Sequence, residues 1–534
     1  MLETHGGTSA DGERAAYERA KTRAAQGDTS GAIAEYETAV LLAPSFFEAH
    51  SNLGTLYLQT GRRDDALRSF EAAIGARPDL APLYCNLAAA LMDLERCDDA
   101  IAASENALRL APDCYEAYAN LARAYRRSGR DREALDPALR AVVLRPSIAE
   151  FGSLAAAAAA LDEHEIAIAA NHYVLELDAS CVEAYSNLGW LYYARGRYAE
   201  AIAACAAAIE LRPPDVLAHL HLAYALFVCG DFKGGCNAYA RVWRAQLRPG
   251  SEGESAGAKL WTGENFAGRQ LLVTLDERGY ADALQMARFL PAAKARGGRV
   301  ILEVRPELIA LFIDVPGVDE FHLRSQAASL SDGVELQVPL LGLPPALGID
   351  LDSLPAAVPY LRAPLERVDR WRPRLQADGQ LRVGIMWSGD SEHADDRRRW
   401  ACLEDVAPLG DVAGIAWFGL QTGRDAECCG HGSLTLDPLG AQIEDFADTA
   451  AILTQLDLVV AVDTPVVHLA GALGIPVWTL LAAAPDWRWL RDRGDSPWYP
   501  TMRLFRQPAG GDWAPVIAAV SGELRALLGR RASA

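Results

Sequence analysis

The stretch Asn52-Leu53-Gly54-Thr55-Leu56-Tyr57, followed by Ala66, Phe70, Ala73 and Pro78, decides how the first half of this chain folds. The pattern returns as Asn187-Leu188-Gly189, Tyr192, Ala201, Ala208 and Pro213. Pro44, Pro78, Pro112 and Pro146 mark it every 34 residues, and Pro213 follows 67 residues later, two periods less one residue. A self-similar unit of this length is a helix pair that cannot bury its apolar face alone, so copies stack into a solenoid. Gly54, Ala66 and Ala73 stand where paired helices approach closely. Bulky residues fill the gap to the next copy, and proline ends the second helix.

The period is that of the tetratricopeptide repeat. About six repeats are expected between residues 13 and 215, with a degenerate seventh ending near 245, so the solenoid is assigned to residues 13–245. Asn52, Asn86, Asn120 and Asn187 share one position on the first helix of their repeats and form a ladder, interrupted by Ser153 and His221. An amide donates and accepts with a peptide backbone at once, which suits an acceptor chain held without regard to its sequence. The ladder resembles the asparagine ladder in the solenoid of O-linked N-acetylglucosamine transferases. The other reading is that these amides fix the helix pairs, and both stay open here.

Bulk properties set the frame. A chain of 534 residues exceeds one hydrophobic core, and 51% hydrophobic with 23% charged residues describes globular protein. The longest apolar run falls short of a bilayer span, and the polar N-terminus lacks the order of a signal peptide, so a cytoplasmic protein is expected. A net charge of −20 disfavours nucleic acid and anionic membrane as partners. The ten cysteines are scattered and signal neither disulfides nor zinc.

Residues 246–262 are rich in Gly, Ser and Glu and read as a linker. An alternation of strands and helices follows. Strands are expected at 271–275, 299–304 and 335–339, then, after a Pro-rich crossover, at 382–387, 415–420, 456–462, 477–481 and 502–505. Two α/β halves, residues 263–365 and 378–530, make two Rossmann-like lobes with a ligand cleft at the carboxyl ends of their strands. No G-x-G-x-x-G or Walker loop is present, which disfavours nicotinamide and P-loop chemistry. Asp350-Leu-Asp352 stands between Gly348 and Pro355, reads as a surface turn, and is not taken as a metal site.

The segment Ala461-Val462-Asp463-Thr464-Pro465-Val466-Val467-His468 through Gly474-Ile475-Pro476 resembles the nucleotide-sugar motif of the ADP-heptosyltransferase family. Trp387-Ser388-Gly389 with His393 and Asp396 to Arg399 resembles the matching loop of tetratricopeptide-linked members, as do Gly419-Leu420-Gln421, Asp445 to Thr449, and the long run from Pro485-Asp486-Trp487-Arg488-Trp489 to Arg506-Gln507. The resemblance implies a GT-B fold, an inverting transfer from a nucleotide sugar, and no metal or other cofactor. Asp282 matches the family's Gly-Asp, whose Asp deprotonates the acceptor, although Ala281 replaces the Gly. Further departures are Pro465, which removes one N–H donor, and Trp400 in place of Ser.

Chemistry accounts for these residue types. A departing diphosphate needs positive charge, and the turn Asp463-Thr464 opens a helix whose free N–H groups suit it, with Thr464 as cap and His468 one turn in. Arg397 and Arg399 are candidate phosphate clamps unless they are only a solvated run, and Gln421 is a candidate contact to base or ribose. Asp282 is the candidate base, with helix N-capping as its alternative.

The expected whole is an α-solenoid followed by an α/β GT-B module. It would transfer a sugar from a nucleotide sugar to a protein held by the solenoid, an arrangement similar to bacterial flagellin glycosyltransferases. The alternatives are a protein-binding scaffold with an inactive module, kept open by Ala281, Pro465 and Trp400, and a lipopolysaccharide heptosyltransferase.

Overall fold

A computed structural model describes residues 7–246, 258–275, 279–323, 333–355, 357–389, 400–508 and 511–533. The chain divides into two compact units, Met1–Leu191 and Tyr192–Ala534. Arg397 and Arg399, together with His393 and Asp396, lie outside the described residues.

The first unit is an array of antiparallel helix pairs. Phe47–Gln59 pairs with Arg63–Ala76, Ala81–Asp93 with Cys97–Leu110, and Tyr115–Arg127 with Asp131–Leu144. Ala49, Ala66 and Ala73 are fully buried between them. A Cβ at Gly54 would meet the Phe70 ring at 2.7 Å, which is why that first helix carries glycine there. The turn inside each pair needs a left-handed residue; Gly61 and Gly129 supply it at φ 75° and 72°, and Glu95 adopts φ 60° at the same position. The second helices that end at Leu42, Ala76, Leu110, Leu144 and Leu211 each have a proline two residues on, as in Ala76, Arg77 and Pro78, whereas His164–Leu177 has Ala179 there. The missing residue of the 67-residue interval lies after Pro146, where Ile148 already begins the next helix, whereas Pro112 is followed by a helix beginning at Tyr115.

The second unit opens with the last helices of the array, Tyr198–Leu211, Val216–Val228 and Phe232–Gln246. Two parallel sheets follow. The first contains β1 (Lys259–Leu260), β2 (Gln270–Thr274), β3 (Arg299–Val304), β4 (Glu320–Leu323) and β5 (Leu336–Pro339), in spatial order β1-β5-β2-β3-β4. In the second half, β6 (Leu381–Met386) and β7 (Ile415–Gly419) precede a short antiparallel hairpin of β8 (Gly430–His431) and β9 (Leu434–Thr435). After β10 (Asp437–Pro438), β11 (Leu458–Val462), β12 (Val477–Leu481) and β13 (Met502–Arg506), the second sheet has the order β10-β7-β6-β11-β12-β13.

Every residue of β11 and β12 is buried, as expected for central strands of a sheet covered on both faces. Val383, Ile385, Val460, Leu480, Val516 and Val520 belong to one core that joins this sheet to the C-terminal helix Ala514–Ser533. The expected linker 246–262 requires a correction at its end. Lys259 and Leu260 pair in parallel with Leu336 and Gln337 as an edge strand, held further by the buried Trp261, whose indole donates to the Glu264 carbonyl at 2.8 Å.

Candidate functional site

Within the second unit, loops at the carboxyl ends of both sheets converge. The segment after β2 leads into helix Tyr280–Met286, β11 runs through Asp463 and Thr464 into helix Pro465–Ala472, and β12 feeds the loop that carries Asp486, Arg488 and Trp489. Asp282 lies in the first turn of its helix, where Gly279 and not Asp282 holds the cap position, so the capping alternative is set aside. Its carboxylate accepts from Nη2 of Arg488, across the interval between the two sheets.

Arg488 is the centre of the cluster. Its Nη1 donates to Asp486 Oδ1 at 2.8 Å and its Nε to Gln285 Oε1 at 2.8 Å. Burial opposes its charge, but Asp486 and then Asp282 outweigh that cost and hold the guanidinium above its ordinary range. Its plane lies 4.5 Å from the Trp487 ring centroid. Trp487 is braced in turn by Phe227, with ring centroids 4.4 Å apart, and Phe232 meets Trp498 edge-on at 5.6 Å. The last repeat helices thus hold the arginine's loop.

His468 does not present a charge. It is 1% exposed, its Nδ1 lies 3.0 Å from the Tyr499 hydroxyl, its ring stacks on Trp489 at 5.0 Å, and its Nε2 is 3.9 Å from Asp463 Oδ1. Burial, aided by Arg488, depresses it to about 3, so the imidazole is neutral at physiological pH. Thr464 occupies the cap position of its helix without a side-chain cap bond; its hydroxyl instead lies 3.6 Å from Met386 Sδ. Pro465 takes the first helical position, where a missing N–H costs no helix bond.

Gln421 is 3% exposed and bridges the ends of β6 and β7: Ser388 N–H donates to its Oε1 at 3.1 Å, and its Nε2 donates to Ser388 O at 3.0 Å. The Trp400 departure has a local cause. A Cβ at Gly389 would come within 2.4 Å of the Trp400 ring, so the indole packs directly on that glycine. Asp350 closes a turn on Ser353, accepting its N–H at 3.0 Å and its hydroxyl at 2.6 Å. Among the described residues no three His, Cys, Asp or Glu side chains are grouped to hold a metal.

Arg288 and Tyr360 carried no sequence signal, and Tyr499 carried only its place in the run from Pro485 to Gln507. Arg288 is 6% exposed, donates to Trp498 O at 2.8 Å and lies 4.6 Å from the Tyr360 ring centroid. Burial pushes the Tyr360 hydroxyl up to about 12 and Tyr499 well above its ordinary value. Among the described residues, the indole nitrogen of Trp489, Nε2 of Gln285, and Nε and Nη2 of Arg288 are buried donors with no hydrogen-bond acceptor.

The ladder of the first unit bonds repeat to repeat. Asn86 Nδ2 donates to Ser51 Oγ at 3.2 Å, and Asn120 Nδ2 to Cys85 O at 3.0 Å, each partner standing next to the preceding rung. Asn52 reaches the Tyr36 hydroxyl at 3.2 Å and the Tyr17 hydroxyl at 3.3 Å, and Asn187 reaches Asn171 Oδ1 at 3.4 Å. Asn86 and Asn120 also line a cavity of about 310 Å³.

Helix pairs of this length and register define tetratricopeptide repeats, joined here to a parallel α/β region. The tetratricopeptide repeat family matches residues 17–81, 85–148 and 182–215. Protein FlbA of Caulobacter vibrioides (strain ATCC 19089 / CIP 103742 / CB 15) is 26% identical over 379 residues, covering 66% of this chain. The match spans 62% of that protein's length, less than two thirds. Among solved structures, MamA protein is 22% identical over 31% of this chain and 92% of its own, with a TM-score of 0.30. YrrB, described as a TPR protein with an unusual peptide-binding site, is 20% identical over 34% of this chain and 95% of its own, with a TM-score of 0.32. Among the described residues no helix is long and apolar enough to cross a membrane.

Proposed function

We propose that the second unit is a GT-B glycosyltransferase and that the solenoid holds its protein acceptor. The observation that carries this reading is the meeting of Asp282, from the carboxyl end of the first sheet, with Arg488, from the carboxyl end of the second. Ligands of open α/β sheets bind outside those strand ends. In the proposed reaction the acceptor oxygen bonds to the anomeric carbon, the bond from that carbon to the diphosphate breaks, and the anomeric centre inverts. Asp282 takes the hydroxyl proton as the new bond forms. Arg488 holds the Asp282 carboxylate in place, and the N–H groups that open helix Pro465–Ala472 face the departing diphosphate. His468, neutral, orients Asp463 and Tyr499 instead of neutralising phosphate. Gln421 fixes Ser388 at the end of β6, and Arg397 and Arg399 remain proposed phosphate contacts. No metal is required in this scheme, and a cytoplasmic location suits a soluble nucleotide sugar.

The repeats favour a second reading as well, a protein-binding scaffold whose α/β region binds nucleotide without turnover. Incubation of the full chain with a panel of nucleotide sugars separates the two. Release of nucleoside diphosphate in the presence of acceptor protein supports transfer; binding without turnover across the panel supports the scaffold.

A further inference from the structure

Cys85 and Cys114 are 29 residues apart, yet the stacking of repeats sets their sulfurs 3.5 Å from each other. Cys85 lies inside helix Ala81–Asp93, and Cys114 holds the cap position before helix Tyr115–Arg127. Both belong to a small apolar cluster with Ala81, Ala107 and Ala117. Cys85 is buried, whereas Cys114 is partly exposed and its thiol donates to Glu116 Oε2 at 3.4 Å. The main chain beside them is held, because Asn120 Nδ2 donates to the Cys85 carbonyl at 3.0 Å.

The same array carries an internal comparison. Cys181 precedes helix Val182–Ala194 as Cys114 precedes Tyr115–Arg127, again with a glutamate two residues on, Glu183. Cys85 is the fifth residue of its helix, and the fifth residue of the corresponding helix Ile148–Ala160 is Gly152. A cysteine at the head of a repeat helix thus meets a second thiol at one step of the array and a glycine at the other. A disulfide needs its sulfurs at about 2.05 Å, so the pair closes by about 1.5 Å, within reach of side-chain rotation. Two thiols in contact also pack as small apolar groups, and oxidation separates that reading from a reactive pair.

We propose that Cys85 and Cys114 form an oxidation site, at which a peroxide converts the two contacting thiols into a disulfide that ties the first helices of adjacent repeats. Exposure sets the order of events. The Cys114 sulfur, as thiolate, attacks one peroxide oxygen; the O–O bond breaks, and the departing hydroxide takes up the proton that Cys114 released, leaving a sulfenic acid and water. The Cys85 sulfur then attacks the Cys114 sulfur, the S–O bond breaks, and the oxygen leaves as water with the Cys85 proton. The thiols together lose two electrons and two protons, and the peroxide is reduced to water. Burial, and then contact with Cys114, pushes the Cys85 thiol up, which suits Cys85 to the second step and not to the first. The bond closes a loop around helix Cys97–Leu110, so the stacking of these repeats becomes covalent.

The test exposes the reduced full chain to hydrogen peroxide, alkylates the remaining thiols and maps tryptic peptides without reduction. Trypsin cuts after Arg96 and Arg109, so the Cys85 and Cys114 peptides should appear joined only through sulfur. Cys181 should enter no corresponding link. Melting followed by circular dichroism should rise by several degrees on oxidation and return with dithiothreitol. Cys114→Ser and Cys85→Ala should each remove both the link and the rise. The comparison of reduced with oxidised parent protein needs no variant, so a poorly folding Cys85→Ala leaves the test intact. The proposal is overturned if both cysteines stay open to alkylation, if Cys114 is oxidised beyond sulfenic acid while Cys85 remains a thiol, or if the linked pair leaves melting unchanged. No sugar donor is involved, so the outcome is independent of the transferase reading.

Discussion

Arg488 and Asp282 stand 206 residues apart in the chain and share a hydrogen-bonded ion pair that joins the carboxyl ends of the two sheets. Their side chains are only 10% and 15% exposed, so neither charge is fully returned to water. Gln285 and Asp486 bind the same guanidinium. The pair therefore ties lobe position to the placement of the proposed base.

Arg488→Met should cost stability in full. Removing one partner of a buried pair leaves the other charge uncompensated, at about 3–5 kcal/mol. Denaturant unfolding measures it, and Arg488→Met with Asp486→Asn should recover part of the loss. Unchanged stability of the single variant would mean that the lobes are held by other contacts.

Asp282→Asn separates chemistry from binding. With Asp282 as base, turnover should fall by roughly 10²–10⁴-fold while donor affinity, followed by calorimetry, stays within a small factor. The isosteric amide still accepts from Arg488, so the interval between the lobes is preserved. Transfer at the parental rate would leave Asp282 as an interlobe contact only.

His468 makes stability depend on pH in a defined window. Its folded value of about 3 lies below the ordinary 6.5, so between these values the unfolded chain binds a proton that the folded protein refuses. Stability is complete above pH 6.5 and falls as pH drops, by at most about 1.4 kcal/mol per unit from this residue. His468→Gln should flatten the decline between pH 6.5 and 5, before most carboxylates titrate. The same slope in both proteins would show that His468 is not the buried neutral group.

Chelation should not abolish transfer. The charge-stabilising groups offered to the diphosphate in the proposed mechanism are built into the protein, at the opening of helix Pro465–Ala472. Complete loss of activity in EDTA, restored by magnesium or manganese, would require a metal that this scheme lacks.

Much of the architecture is written in residue spacing. The repeat survives because proline, glycine and alanine occupy fixed positions over many copies, and Pro146 even marks the turn where one residue is missing. The central strands are readable because parallel strands buried on both faces are short apolar runs, as in Leu458–Val462. β1 has only two residues and sits at the end of a Gly- and Glu-rich stretch, so pairing with β5, not propensity, creates it. Site chemistry was less legible. Arg488 stands in the run from Pro485 that resembles the family, but nothing in its spacing shows that Asp282 and Gln285 arrive from another lobe. His468 reads as a ligand until Trp489 and Tyr499 close over it.

The asparagine ladder supports a prediction with two readouts. Each rung spends its Nδ2 on a neighbouring helix, so the amides contribute to stacking whatever else they bind. A net hydrogen bond is worth about 1 kcal/mol, and a buried partner left unsatisfied costs more. Asn120→Ala should therefore be the most destabilising single change. Asn120 is 5% exposed, and its loss deprives both the Cys85 carbonyl and the Arg123 guanidinium of their partner. Asn86 is the cleaner probe of recognition, because its partner is the Ser51 hydroxyl, which can rotate toward water, and its side chain lines the cavity. Asn86→Ala should lower the melting temperature slightly and weaken binding of a protein acceptor by about one order of magnitude, with donor affinity unchanged. Asn52→Ala, outside the cavity lining, should lower melting and leave acceptor binding alone. If both variants bind acceptor like the parent while melting lower, the ladder serves only to stack the repeats, and the acceptor is recognised elsewhere.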